Sequence, residues 1–201
     1  MSDLRFVGRI AGVGTTSGTR FVVGLWRDSP LGSFTDVMVE TREGRRILLA
    51  PSTETADFIA STYTFDEVRI VPVSAERVDG GIRVLAAGTL DLRLWIGTVS
   101  GLGMLLRLVP RAFATRPLWL RLIDPVARIL VPGASTAGTA GGGRREFYGV
   151  TLARHVTALE ATFDGQDQGA LARLWPPPRF GFGSAPPSPS LVDVTTTIRG
   201  E

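Results

Sequence analysis

Arg5-Phe6-Val7-Gly8-Arg9-Ile10, then Gly12-Val13-Gly14-Thr15-Thr16-Ser17-Gly18, then Arg20-Phe21-Val22-Val23-Gly24-Leu25-Trp26 open the chain. Two short runs rich in β-branched and aromatic residues flank a stretch whose glycines permit positive φ, so the pattern predicts a β-hairpin with a glycine-rich loop. A phosphate-loop reading of the same stretch fails on spacing. A dinucleotide fingerprint needs glycine where Ser17 stands, and a Walker loop needs a lysine that the sequence lacks. The run after the glycines also reads as strand rather than helix.

Outward from this hairpin the same grammar continues. Residues 36–40 alternate, Glu43-Gly44 turns the chain, and residues 46–50 complete a second hairpin. Pro51-Ser52 opens a helix: Ser52 is its cap, Glu54 sits in its first turn, and Ala56, Ile59, Ala60 and Tyr63 recur at helical spacing. Residues 67–75 and 82–95 read as strands joined at Asp79-Gly80-Gly81. Residues 96–129 mix leucine, tryptophan and arginine with Pro110, Pro117 and Pro125, which predicts short broken helices forming a flap over about 96–130. The Gly/Ala/Ser/Thr-rich residues 133–143 predict a flexible loop. Residues 145–163 are long enough for one or two strands ending in an Asp164-Gly165 turn. A short helix is expected over 166–174, stopped by Pro176-Pro177-Pro178, and residues 192–198 alternate as a closing strand. Many short strands with few helices predict one α+β domain over 1–201, mainly antiparallel β, as a curved sheet or barrel; parallel α/β is the alternative.

Composition narrows the function. With 44% hydrophobic and 20% charged residues the chain is globular in type. Its computed isoelectric point of about 10.4 reflects 22 basic residues that are all arginine, while the net charge is only +3. There is no basic block with interleaved aromatics, so no nucleic-acid partner is expected. Zero cysteines exclude a disulfide framework and thiolate metal sites, and the single His155 excludes a multi-histidine cluster; neither a metal nor a cofactor is expected. The first residues form no apolar signal core, and the uncharged apolar stretch 94–106 is too short to cross a bilayer, so the cytoplasm is the expected location.

Among candidate chemical groups, Gly181-Phe182-Gly183-Ser184 lacks the spacing of a nucleophile elbow. His155 lies in a predicted strand, facing core or water. Carboxylates offer more: Asp36 follows Pro30-Leu31-Gly32-Ser33-Phe34-Thr35, and Asp66-Glu67 follows the capped helix. If the hairpin between them folds back, the acids share a cavity, and carboxyls crowded or desolvated become acids and bases near neutral pH. The arginine-studded segment 95–130 reads either as a flap on the domain's own mouth or as a surface for a partner or membrane.

The order of these features resembles the acetoacetate decarboxylase superfamily. Ser29-Pro30-Leu31-Gly32-Ser33-Phe34-Thr35-Asp36 is similar to that family's glycine-aromatic-x-acid segment, whose acid lines the pocket. The helix, Tyr63, the strand over 68–73, the turn Asp79-Gly80 and the strand over 82–92 follow in the family's order, as do the strand into Asp164 and the last strand. Only residues 96–143 fall outside the resemblance. The family's Schiff-base lysine would fall near Phe65 or Asp66, and no lysine is present. Arginine cannot replace it, because guanidinium stays protonated at any working pH. The resemblance thus implies a small-molecule cavity for an organic acid or ketone, with Asp36 and Glu67 as catalytic carboxyls and Arg27 and Asp66 as ligand anchors. It excludes a Schiff-base decarboxylase and leaves a lysine-free acid/base lyase, hydratase or cyclase, or simple binding. The alternative is a non-enzymatic protein docking through 95–130. A homo-oligomer is left open.

Overall fold

The computed structural model describes residues 3–106, 137–139, 145–181 and 186–199. Its elements are β1 (Leu4–Thr15), β2 (Arg20–Asp28), β3 (Phe34–Glu40), β4 (Arg46–Ala50), α1 (Thr53–Ala60), β5 (Glu67–Ile70), β6 (Val73–Val78), β7 (Gly81–Ala86), β8 (Leu90–Val99), α2 (Gly101–Leu106), β9 (Ala137–Thr139), β10 (Arg145–Phe163), β11 (Gln166–Asp167), β12 (Leu171–Ala172) and β13 (Ser190–Arg199). All the described strands join one sheet, whose main path runs β5-β4-β3-β2-β1-β13-β10-β8-β7-β6. Every pairing is antiparallel except β4 with β5, the two strands that α1 connects. β3 and β6 stand far apart in that order yet touch, so the sheet is strongly curled into a half-barrel.

The curl encloses the larger core. Ala11 and Val13 of β1, Phe21 and Val23 of β2, Val37 and Val39 of β3, and Leu92 and Leu94 of β8 meet there. These residues alternate along their strands, as the period of two requires. The other face is buried as well: Leu48 and Ala50 of β4 pack against Ala56 and Ile59 of α1, with Phe34, Met38, Phe58 and Tyr63 around them. Ser52 caps α1 by accepting a hydrogen bond from the Thr55 amide at 3.2 Å. The expected antiparallel, curved-sheet class and the expected helix at this position are therefore both found.

Several local expectations change. Gly12 and Gly14 lie inside β1 rather than in a loop, and the turn is confined to the residues around Gly18, whose φ is +93°. Gly14 serves close approach instead: a Cβ there would lie 2.2 Å from the Arg173 carbonyl oxygen. The run 82–95 is two strands, because Gly88 turns at φ +69° between β7 and β8. The helix expected over 166–174 is replaced by β11 on β10 and β12 on β1. Its two halves are parted by Gly169 at φ +74°, and pairing with exposed strand ends outweighs weak helical periodicity. Residues 145–163 form one strand with register irregularities near Val150, Arg154 and Val156. Of the expected flap, 96–99 belong to β8 and 101–106 to α2, and the rest lies outside the described residues; of the expected loop over 133–143, residues 137–139 pair as β9 with β10. Among the described residues no helix is long and apolar enough to cross a membrane.

Candidate functional site

Between the outer face of the sheet and α1 lies a cavity of about 110 Å³. Its wall is mostly apolar: Phe6, Trp26, Phe34, Phe58, Ile59 and Phe180 all reach it. Five polar groups interrupt that wall, Asp36, Glu146, Tyr63, Tyr148 and Thr196, with Thr62 at its edge. No arginine or histidine is among its described lining residues.

Asp36 reaches the cavity because of its partner across the ladder. It stands opposite Gly24 of β2, and a Cβ on Gly24 would fall 2.3 Å from Asp36 Oδ1 and 2.5 Å from Trp26 Nε1. The glycine therefore leaves room for Trp26, two residues on and on the same face, to donate from Nε1 to Asp36 Oδ1 at 2.9 Å. Asp36 is only 4% exposed. Burial pushes its carboxyl from 3.8 up to about 7, and the Trp26 hydrogen bond holds it back only in part.

The second acid comes from β10. Glu146 and Tyr148, two residues apart, share one face of that strand. Tyr63, placed just past the end of α1 by its amide bond to the Ile59 carbonyl at 2.9 Å, donates its hydroxyl to Glu146 Oε1 at 2.8 Å. The Tyr63 and Tyr148 hydroxyls lie 2.5 Å apart. Glu146 is 1% exposed, and burial pushes its carboxyl up to about 7 against the hydrogen bonds of both tyrosines. Both phenols are driven well above their ordinary value, first by burial and then by the Glu146 charge. Each phenol carries one proton. When Glu146 is ionised, those two protons are consumed within the cluster; when it is protonated, a third is present and one O–H can turn to a guest. The buried hydroxyl of Thr196 has no hydrogen-bond partner among the described residues, so it too can bond a guest.

The C-terminal strap closes one side of the cavity with Pro178 and Phe180. Glu40, fully buried, holds that strap: its Oε2 accepts from the Arg179 amide at 2.6 Å, while its Oε1 pairs with buried Arg20 at 3.1 Å. Arg20 also donates to the Pro176 carbonyl at 3.1 Å, and the Thr64 amide donates to the Phe180 carbonyl at 2.6 Å.

Of the residues singled out in the sequence, Asp36 lines the cavity, while Asp66, Glu67 and Arg27 do not. Asp66 accepts two bonds from the Arg46 side chain, at 2.7 and 3.0 Å, and one from its amide; these hold its carboxyl well below the usual range. Glu67 pairs with Arg69 at 2.7 Å and Arg45 at 2.8 Å, and its carboxyl is lowered, chiefly by the Arg69 hydrogen bond. Both acids sit at the β4–β5 edge of the sheet, so the hairpin does not fold back to bring them to Asp36. Arg27 lies on the opposite face of β2 from Trp26, exposed at the mouth of the half-barrel. His155 is exposed on β10. Glu146 and Tyr148 were not singled out. Their signal was the i, i+2 spacing of an acid and a phenol in an apolar strand.

Neither a protein-family model nor a curated protein matches this chain. Among solved structures, the acetoacetate decarboxylase of Legionella pneumophila is similar in chain path, with a TM-score of 0.42 and 9% identity. The match covers 98% of this chain and 84% of that one. The activity in that name is a property of the Legionella protein.

Proposed function

We propose that this chain binds a small, uncharged carbonyl compound in the cavity and moves a proton on it by acid/base chemistry, without bonding to it covalently. The observation that carries this reading is a pair of buried carboxyls, Asp36 and Glu146, both brought to about 7 within one mostly apolar cavity. At neutral pH each divides between acid and base forms, the condition under which carboxyls transfer protons most effectively.

The wall selects the guest. An organic acid would bring a negative charge into a cavity with two carboxyls and no lining cation among the described residues, so the ketone half of the sequence expectation is favoured over the acid half. A volume of about 110 Å³ is below the ~150 Å³ that accommodates benzene, which limits the guest to roughly four or five non-hydrogen atoms. In the reaction, ionised Asp36 takes a proton from the carbon beside the carbonyl, and the electron pair moves to the oxygen as an enolate. With Glu146 protonated, one O–H of the Tyr63, Tyr148 and Glu146 cluster donates to that oxygen, and delivery of the proton from Asp36 to a neighbouring carbon, or to a departing β-hydroxide as water, completes an isomerisation or dehydration. Lysine, the usual route to an electron-sink imine, is absent from the sequence.

Exchange of the α-hydrogens of acetone and butanone in deuterated water, followed by proton NMR, tests this. Wild type is expected to accelerate exchange of at least one ketone, and Asp36→Asn to lose about 100-fold or more of that acceleration. Exchange at the wild-type rate in Asp36→Asn, or a borohydride-reducible adduct on the chain, refutes the reading.

A further inference from the structure

The concave side of the half-barrel opens at one end into a mouth of about 1180 Å³, separate from the cavity between sheet and helix. Strand alternation builds it. Along β1 the inward face runs Arg5, Val7, Arg9, Ala11, Val13: the last two belong to the core and the first three to the mouth. β2 repeats the pattern with Phe21 and Val23 in the core and Arg27 at the rim. β6 adds Arg77, and β10 adds Arg154. Five arginines from four strands thus face one concavity, where Asp193 is the only lining carboxylate among the described residues, a local excess of four positive charges.

Elsewhere most of the described arginines are paired, the exceptions being Arg42, Arg93 and Arg173, which do not line the mouth. Arg20, Arg45, Arg46, Arg69, Arg83, Arg179 and Arg199 each lie within 4.0 Å of a carboxylate. None of the five mouth arginines has such a partner among the described residues. The chain's net charge is only +3, so the mouth concentrates the excess rather than sharing it over the surface. Val7, Leu25, Val73 and Ile82 form an apolar floor beneath the guanidinium groups, and a low-dielectric wall focuses their field into the concavity.

We propose that this mouth binds a small organic anion carrying two or more negative charges. Guanidinium forks grip phosphoryl and carboxylate oxygens alike, two bonds at a time. Arginines placed around a bowl, rather than along a stripe, suit a compact guest, and the volume sits just above the ~300–1,000 Å³ of typical small-molecule sites. The anion neutralises the arginines at no cost in buried unpaired charge, because all five keep contact with water. The proposal is independent of the Asp36 cavity, which lies on the other face of β2.

Calorimetric titration of the full chain with pyrophosphate and with citrate, at about 0.15 M ionic strength, decides the matter. Arg27 and Arg77 are both exposed, so an Arg27→Gln/Arg77→Gln variant keeps the fold. Arg45→Gln/Arg83→Gln removes the same total charge from outside the mouth. Wild type is expected to bind one equivalent of pyrophosphate or citrate; the first variant weakens that binding about tenfold or more, and the second leaves it within about twofold. A preference for pyrophosphate assigns a phosphate ester, and a preference for citrate a polycarboxylate. Three results overturn the proposal: no heat with either anion at millimolar concentration, equal weakening in both variants, or displacement of the anion by a short DNA duplex that binds more tightly.

Discussion

Asp36→Asn separates a buried titrating acid from a merely buried polar group, and its effect on stability is calculable. The folded chain holds the Asp36 proton up to about pH 7, while the unfolded chain loses it near 3.8. Between those values the native state binds more protons than the unfolded state, so stability falls as pH rises. The contribution is fully present below about pH 4 and is lost as pH passes through 7. Taking 1.36 kcal/mol for each tenfold change, the Asp36 linkage between pH 5 and pH 8 is about 2.5 kcal/mol. Glu146, moved in the same direction from 4.5 to about 7, contributes a similar amount over that window. Wild type should therefore lose about 5 kcal/mol of unfolding free energy from pH 5 to pH 8, and Asp36→Asn about half of that. Asparagine keeps an oxygen to accept from Trp26 Nε1, so the local geometry survives the change. Urea unfolding at several pH values, followed by tryptophan fluorescence, measures the slopes. Identical pH dependence in the two proteins would show that Asp36 is not a neutral-range acid, and the catalytic reading would fall with it.

Two further substitutions probe the surrounding structure. Tyr63→Phe removes an O–H that stabilises ionised Glu146, so the Glu146 carboxyl should rise further above 7; carbon-detected NMR titration of a labelled sample reads this directly, and a lower value contradicts the cluster as described. Glu40→Gln leaves buried Arg20 without a carboxylate and loosens the strap over the cavity, at a cost of about 3 kcal/mol in unfolding free energy. A loss below about 1 kcal/mol in urea titration would mean that the pair does not hold the strap.

Strand alternation and turn chemistry made most of the fold legible. Ser52 announced α1, Asp164-Gly165 announced the β10–β11 turn, and the runs ending at Trp26 and beginning at Asp36 announced two neighbouring strands. Gly88 stayed hidden inside a run that looked continuous, because one glycine in a β-rich stretch is equally compatible with a strand interior and a tight turn. The site was half legible. Asp36 was legible from its place after Gly32-Ser33-Phe34-Thr35, whereas its desolvation was not, because residues 36–40 alternate like a strand with one wet face and the structure buries both faces. Glu146 did not follow in the same way. Partnering it with Tyr63 requires α1 to pack across the sheet, a contact between residues 83 positions apart that no local pattern contains. Asp66 and Glu67 misled for the converse reason: their arginine partners lie on β4 and β5, and sequence spacing does not distinguish an acid held in a surface ion pair from one aimed into a cavity.

One register governs both candidate sites. On β1, Phe6 and Ile10 face the carboxyl cavity while Arg5 and Arg9 face the basic mouth; on β2, Gly24 and Trp26 face the cavity while Arg27 faces the mouth. β10 changes sides along its length. Glu146 and Tyr148 point to the cavity, and Arg154, at the same parity, points to the mouth because the register shifts between Val150 and Leu152. Without that irregularity Arg154 would carry its charge to the helix-covered face where Glu146 and Tyr148 lie. There it would stand six residues, about 20 Å along the strand, beyond Tyr148, and the mouth would lose its fifth guanidinium. The bulge thus lets one strand supply Glu146 and Tyr148 to the carboxyl cavity and Arg154 to the cationic mouth, which occupy opposite faces of one sheet.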